Sequence, residues 1–131
     1  MPVKHVQRTA PANNYYRNTS FETLAVSWLT YDGWEVFTPI IDHDMKTDLL
    51  ISDGDNFYRI QIKTVETNDE SFQVENRWGD AKIDFVIYFS KSANWGYIMK
   101  PFMQKRKPLK AKGHIKFHQH AKPFIKAFST I

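Results

Sequence analysis

The stretch Tyr58-Arg59-Ile60-Gln61-Ile62-Lys63-Thr64 alternates polar and apolar residues, which predicts a β-strand. Side chains at positions i and i+2 of a strand point to the same face, so Gln61 and Lys63 are expected side by side. We expect this strand to run from Phe57 to Val65.

Two strands are expected to precede it. The turn sequence Asp53-Gly54-Asp55 is a strong hairpin signal, and it predicts a strand from Thr47 to Ser52 that begins near Asp48. A further strand is expected from Trp34 to Thr38, because Pro39 stops it.

A helix is expected from about Ser20 to Tyr31. Apolar residues recur there with helical spacing at Phe21, Leu24, Ala25, Trp28 and Leu29. Thr19 and Glu22 match a capping box, and Asp32-Gly33 provides an end. Residues 1–17 are expected to form an irregular, flexible arm.

The rest of the chain is expected to form four further strands and two further helices. The expected strands are a short one near Phe72–Val74, then Ile83–Ser90, Trp95–Lys100 and His114–His118, and the expected helices are Phe102–Arg106 and Pro123–Ser129. This order predicts a single domain over residues 1–131, of the α/β (α+β) class, with a central mixed β-sheet flanked by helices. Residues 101–131 form a basic C-terminal segment.

Charge is distributed unevenly along the chain. Residues 1–84 contain all 14 Asp and Glu residues and 8 Lys and Arg residues, whereas residues 85–131 contain 10 Lys and Arg residues and no acid. A basic segment on a small domain favours a polyanionic partner, and the alternative is a solvated lysine-rich surface.

Composition argues against several other classes of protein. The chain has no cysteine, which excludes disulfides and is compatible with a reducing compartment. No apolar run approaches the roughly 18 residues of a membrane span. The N-terminal residues do not resemble a signal peptide. We therefore expect a cytoplasmic protein of a bacterial or phage-infected cell, with no membrane partner.

An acid, an amide and a lysine are expected to converge at the ends of adjacent strands, as Asp48, Gln61 and Lys63. Such a group is suited to holding a metal ion beside a phosphate. Each residue also has a structural interpretation. Glu22 can cap its helix, Asp48 can be a turn residue, and Gln61 with Lys63 can form the solvent face of an edge strand.

In this order the motifs resemble the PD-(D/E)XK nuclease superfamily. The Gln-x-Lys form is similar to small homing endonucleases associated with group I introns. The residues that carry the resemblance are Asn18-Thr19, Glu22, Ala25, Gly33–Pro39, Thr47–Leu50, Arg59–Thr64, Lys82–Tyr88 and Trp95–Ile98. The sequence departs from the superfamily pattern at Thr47, where proline is usual, and at Gln61, where an acid is usual.

The resemblance implies a restriction-endonuclease-like core and a metal-dependent endonuclease that hydrolyses double-stranded DNA. It implies that Glu22, Asp48, Gln61 and Lys63 are catalytic. The implied ligands of Mg²⁺ (or Mn²⁺) are Asp48, Gln61, the backbone carbonyl of Ile62, and Glu22. A homo-oligomer, dimer or tetramer, is expected because one active site cuts one strand.

Candidate DNA contacts are basic residues near the predicted site and in the C-terminal segment. They are Lys46, Arg77, Lys105, Arg106, Lys107, Lys110 and Lys112. Two alternatives stay open: a non-catalytic DNA-binding module on the same fold, and a structure-specific repair or junction nuclease.

The histidines and tryptophans are given ordinary roles. A zinc site formed by His114, His118 and His120 lacks support from cysteine and is surrounded by lysines, so phosphate or surface roles are preferred. His43 is expected to be an exposed loop residue. Trp78 and Trp95 are expected in the core.

Overall fold

The computed structural model describes residues 1–42 and 44–131. Within them the chain forms two helices and eight strands. In chain order these are α1 (Ala10–Tyr31), β1 (Glu35–Phe37), β2 (Leu49–Ser52), β3 (Phe57–Val65), β4 (Gln73–Glu75), β5 (Phe85–Ser90), β6 (Trp95–Met99), β7 (Arg106–Pro108), β8 (Ile115–His118) and α2 (Ala121–Thr130).

Six of the strands form one mixed sheet in the order β1-β2-β3-β5-β6-β8, and β4 pairs with β7 in a separate two-stranded ribbon. Strands β3 and β5 are parallel, whereas the other neighbours in the large sheet are antiparallel. The predicted α+β class with a central mixed sheet flanked by helices is confirmed. Because β3 and β5 run in the same direction, their C-terminal ends lie next to each other at one end of the sheet.

Both helices pack on one face of the sheet. The alternation along β3 directs Ile60 and Ile62 to this face, where they join Trp28 of α1 and Phe124 of α2 in one apolar cluster. The rings of Trp28 and Phe124 lie 5.1 Å apart between centroids. Burial of these aromatic side chains, each contributing about 1.5–3 kcal/mol, fixes α1 against the sheet.

The opposite face is covered by the β4–β7 ribbon and its flanking loops. Val74 of β4 and Leu109 after β7 are buried with Trp78, Trp95 and Met99 in a second apolar cluster. The predictions that Trp78 and Trp95 are core residues are confirmed.

Helix α1 begins at Ala10, so the predictions of an irregular segment over residues 10–17 and of a start near Ser20 are wrong. The Thr9 hydroxyl accepts a hydrogen bond from the Ala12 N–H (3.3 Å) and caps the helix. Pro11 lies in the first turn, where its missing N–H has no intrahelical partner to lose. Glu22 is therefore a mid-helix residue and not a helix cap.

The predicted helix over Phe102–Arg106 is also wrong. The Phe102 carbonyl accepts hydrogen bonds from the side chains of Asn76 (2.9 Å) and Trp78 (3.3 Å). The Lys105 carbonyl accepts from the Asn76 N–H (2.9 Å). These bonds hold the segment, which bends at residues 103–105, beside the ribbon, and it continues into β7.

The other expected strands and the C-terminal helix lie within two residues of their predicted bounds, and the predicted range of β3 matches at both ends. Gly33, at φ 97°, ends α1 as expected. None of the helices among the described residues is long and apolar enough to cross a bilayer.

Gly96 in β6 provides a test of the packing between strands. A Cβ added there would collide with the Phe117 ring and with the Tyr88 carbonyl. We expect Gly96→Ala to destabilise the fold by about 1–3 kcal/mol, because overpacking displaces a buried ring. Urea unfolding of the variant measures this, and an unchanged midpoint would contradict the packing described for β6 and β8.

Candidate active site

The site lies where β2 separates from β3. Leu49 is the register partner of Ile60, and the Asp48 N–H also donates to the Ile60 carbonyl (2.9 Å). Asp48 and Leu49 thus both lie opposite Ile60, which is the arrangement of a β-bulge. A bulge changes the direction in which the side chain beside it points. Beyond this point β3 continues to Val65 without β2 as a partner.

The Asp48 carboxylate occupies the edge of β3 that β2 has left. Its Oδ2 accepts a hydrogen bond from the Ile62 N–H (2.7 Å). The N–H and C=O of one residue point to the same side of an antiparallel strand. The Ile62 carbonyl therefore lies on the same open edge as the Asp48 carboxylate.

Glu22 reaches Asp48 from α1, and the two carboxyl groups share a hydrogen bond. Burial, the charge of Asp48 and this hydrogen bond raise the pKa of Glu22 from 4.5 to about 7. Burial also raises the pKa of Asp48, against the opposing effect of the Ile62 N–H. The pair therefore retains a proton well above the pH at which isolated carboxyl groups lose theirs.

Lys63 stands beside this pair. Its side chain is half-buried, and burial lowers its pKa. The Asp48 charge opposes this shift, while the cations of Arg77 and Lys46 add to it. The structure thus brings Lys46 and Arg77, two of the predicted DNA contacts, close to Lys63.

Gln61 carries a buried oxygen with no partner. The residue is 7% exposed, and its Oε1 forms no hydrogen bond within the described residues. Gln61 is buried, so its interpretation as part of a solvent face is wrong, whereas Lys63 is half-buried. A buried acceptor left unpaired costs about 1–3 kcal/mol, which a bound cation or an ordered water would offset.

Two cavities of about 400 Å³ each meet at Glu22 and Thr19. One extends from Glu22 past Lys63 and Thr64 to Asn18. The other extends from Glu22 to Asp48 and Asp42. The carboxyl pair is therefore reached from two sides.

The donor atoms at this site suit a hard cation. No group of three or more His, Cys, Asp or Glu side chains suited to a metal occurs among the residues the structure describes. Glu22, Asp48 and the Ile62 backbone supply oxygens at the open edge of β3, and Mg²⁺ and Mn²⁺ accept an all-oxygen set. These residues fit the implied metal, with two carboxyl groups and one neutral carbonyl, and Gln61 as a further ligand stays a prediction. His43 lies outside the described residues.

Asn18 and Lys91 were not among the predicted site residues. Asn18 Oδ1 accepts hydrogen bonds from Thr64 Oγ1 (3.3 Å) and from Lys91 Nζ (3.2 Å). The available signal was the spacing of Asn14, Asn18 and Glu22 at i, i+4 and i+8, which aligns three side chains on one helix face. This alignment was not predicted, because residues 1–17 were expected to form an irregular arm.

The other predicted DNA contacts lie on β7 and on either side of it. Arg106 shares Glu75 with Arg77, each pair at 3.3 Å, which connects the ribbon with the surroundings of Lys63. Lys107 lies over the Phe102 ring at 5.7 Å. Lys105, Lys110 and Lys112 are exposed near the same strand.

The fold resembles solved nucleases. A bacterial homing endonuclease, I-Ssp6803I, superposes with a TM-score of 0.53 and 16% identity, over 77% of this chain and 72% of that one. The Holliday junction resolvase Hjc of Archaeoglobus fulgidus matches with a TM-score of 0.48 and 12% identity, over 81% and 92%. Neither a protein-family model nor a curated protein sequence matches the chain. The homing endonuclease shows that the fold is nuclease-like, and membership of the superfamily expected from the motifs stays a prediction.

The carboxyl pair predicts a pH-dependent stability. Because folding raises the pKa of Glu22, its proton stabilises the folded state at acidic pH, and this contribution is lost as the pH rises from 4.5 to about 7. In metal-free buffer we expect wild type to lose about 1 kcal/mol more over this interval than Glu22→Gln, allowing for solvent screening. Denaturant unfolding at several pH values measures the difference, and parallel profiles would contradict the pairing.

Proposed function

We propose that the protein is a metal-dependent DNA endonuclease of the homing type, which hydrolyses phosphodiester bonds of double-stranded DNA with Mg²⁺ or Mn²⁺. The observation that carries this proposal is the meeting of Glu22, Asp48 and Lys63 at an open strand edge of a nuclease-like fold. The unpaired oxygen of Gln61 supports it.

The two carboxylates would hold the cation. They are close enough to share a proton near neutral pH, so a divalent cation at the same place would relieve their repulsion more fully than a proton does. When bound, the metal would act as a Lewis acid on the scissile phosphate and lower the pKa of the attacking water. Gln61 and the Ile62 carbonyl would add ligands without adding charge.

Lys63 would act on the attacking water or on the phosphate. Its ammonium, positioned by burial beside Asp48, is suited to bonding a phosphate oxygen. The same burial lowers its pKa, which brings the neutral amine closer to the working pH and allows it to take a proton from water.

DNA would lie across the open edge of β3 and the ribbon. Lys46 and Arg77 beside Lys63 would contact the phosphates nearest the cut, while Lys105, Arg106 and the lysines that follow would contact the backbone further away. A dimer or tetramer would supply the second active site that a double-strand break requires.

Nicking of supercoiled plasmid tests the catalytic assignment. We expect Asp48→Asn and Lys63→Ala each to lower the Mg²⁺-dependent nicking rate about a hundredfold or more, because each removes a group that contacts the reacting atoms. Asp80→Asn, an exposed substitution of the same chemical type, should nick like wild type. Circular dichroism confirms that the variants fold, and undiminished nicking by Asp48→Asn would exclude this site.

The alternative function is a non-catalytic DNA-binding module, favoured by the neutral Gln61 at a position where the superfamily carries an acid. It is the outcome if wild type binds duplex DNA but nicks no plasmid with Mg²⁺ or Mn²⁺. Comparing linear, plasmid and four-way-junction substrates separates both functions from a structure-specific repair nuclease, which would cut the junction preferentially.

Glu75 provides a test of the DNA-binding surface, because its carboxylate holds both Arg77 and Arg106. We expect Arg77→Ala to weaken binding and to reduce the slope of log K against log salt by about 1. Glu75→Gln should strengthen binding, since it releases two arginines from an ion pair. Fluorescence anisotropy with a labelled duplex measures both, and a shift in the same direction for both variants would contradict the assignment.

A further inference from the structure

A row of polar side chains continues from the carboxyl pair along α1. Asn14, Asn18 and Glu22 are spaced one helical turn apart, about 6 Å per step, on one side of the helix. The cavity of about 400 Å³ that starts at Glu22 passes Lys63 and Thr64 and ends at Asn18 and Tyr15. The Glu22 carboxylate lines one end and the Asn18 amide lines the other, so the two ends differ in chemistry.

Lys91 supplies the positive charge at the Asn18 end. It directly follows β5, whose C-terminal end lies beside that of β3, and its N–H donates to the Val65 carbonyl (2.8 Å). Its Nζ donates to Asn14 Oδ1 and Asn18 Oδ1, both at 3.2 Å. No ion pair among the described residues neutralises it with a carboxylate.

The base of Lys91 is held firmly. Ser90 Oγ donates to the Thr67 carbonyl (2.8 Å) and accepts from the Ala93 N–H (2.9 Å). Gln119 Nε2 donates to the carbonyls of Ser90 (2.8 Å) and Trp95 (2.7 Å). The turn after β5 therefore presents the Lys91 ammonium at a fixed place.

Asn18 is oriented by the same network. Its Oδ1 accepts from both Thr64 and Lys91, which assigns the amide oxygen to that side and directs the amide N–H groups away from it. Arg17, the residue before Asn18 in α1, donates to the Lys91 carbonyl (3.4 Å) and adds a second cation. Lys91 and Arg17 therefore place two positive charges near Asn18, which lines this end of the cavity.

We propose that Asn18, Lys91 and Arg17 bind the phosphate adjacent to the scissile phosphate on the same DNA strand, and that they act as positioning residues. This inference rests on the proposed function. A DNA strand is a chain of evenly spaced anions, so a strand that places one phosphate at Glu22 and Asp48 brings its neighbour toward the Asn18 end of the cavity. The contact would fix the register of the strand over Lys63.

Binding of a fluorescein-labelled duplex in EDTA tests the contact without requiring cleavage. We expect Lys91→Ala to weaken binding about tenfold and to reduce the salt slope by about 0.9, the value of one lost phosphate contact. Lys91→Arg should keep the slope, because it keeps the charge. The matched control is Lys126→Ala, an exposed lysine of α2 outside the proposed contacts, which should bind like wild type.

A second measurement tests the position of the contact. A neutral methylphosphonate next to the cut site should slow single-turnover nicking by wild type about tenfold, and should slow Lys91→Ala no further, since that variant has already lost the contact. Arg17→Ala serves as a second variant if Lys91→Ala fails to fold, because Arg17 is exposed and makes one long hydrogen bond.

The inference is overturned if Lys91→Ala and Arg17→Ala bind DNA with the affinity and salt slope of Lys126→Ala, because Lys91 would then only tie α1 to β5. It is also overturned if wild type binds no DNA. If wild type binds but does not nick, the proposed catalysis fails while the salt slopes still decide the phosphate contact.

Discussion

The hydrogen bond from the Ile62 N–H to the Asp48 carboxylate marks the place on which the candidate site depends. β2 pairs with β3 up to Ile60 and then departs, which leaves polar backbone groups of β3 without a strand partner. Asp48 satisfies one of them at 2.7 Å and in doing so is fixed beside the Ile62 carbonyl. In a regular sheet β2 would pair with this edge of β3. Because β2 ends before it, the candidate site lies at an open edge.

Helix α1 contributes the other half of the arrangement. Trp28 and its neighbours anchor the helix in the apolar cluster, and Glu22 lies further toward the N-terminus, at the level where β2 has left. The position of Glu22 thus follows from core packing that involves different residues of the same helix. The same packing places Asn18 next to Lys91, so α1 contributes a residue to each end of the cavity.

Local patterns predicted most of the fold, while the roles of the site residues rest on the resemblance and stay a prediction. The alternation from Tyr58 to Thr64 gave β3 its full range, and the hairpin turn placed Asp48 before β2. The start of α1 was missed because Pro11 opposes a helix interior but is tolerated in a first turn, a distinction that depends on the Thr9 cap. The contact of Asn18 with Lys91 joins residues far apart in sequence, and no local pattern indicates it.

The neutral side chain of Gln61 agrees with the electrostatics of Glu22 and Asp48. Glu22 and Asp48 already share a proton near neutral pH, because burial and mutual repulsion oppose two negative charges at this edge. A third carboxylate on the adjacent position of β3 would increase that repulsion and would itself be buried. The amide of Gln61 brings a buried oxygen to β3 without adding charge, and that oxygen has no hydrogen-bond partner within the described residues. If Gln61 contributes to the proposed site, a glutamine at this position keeps the site's negative charge lower than a carboxylate would.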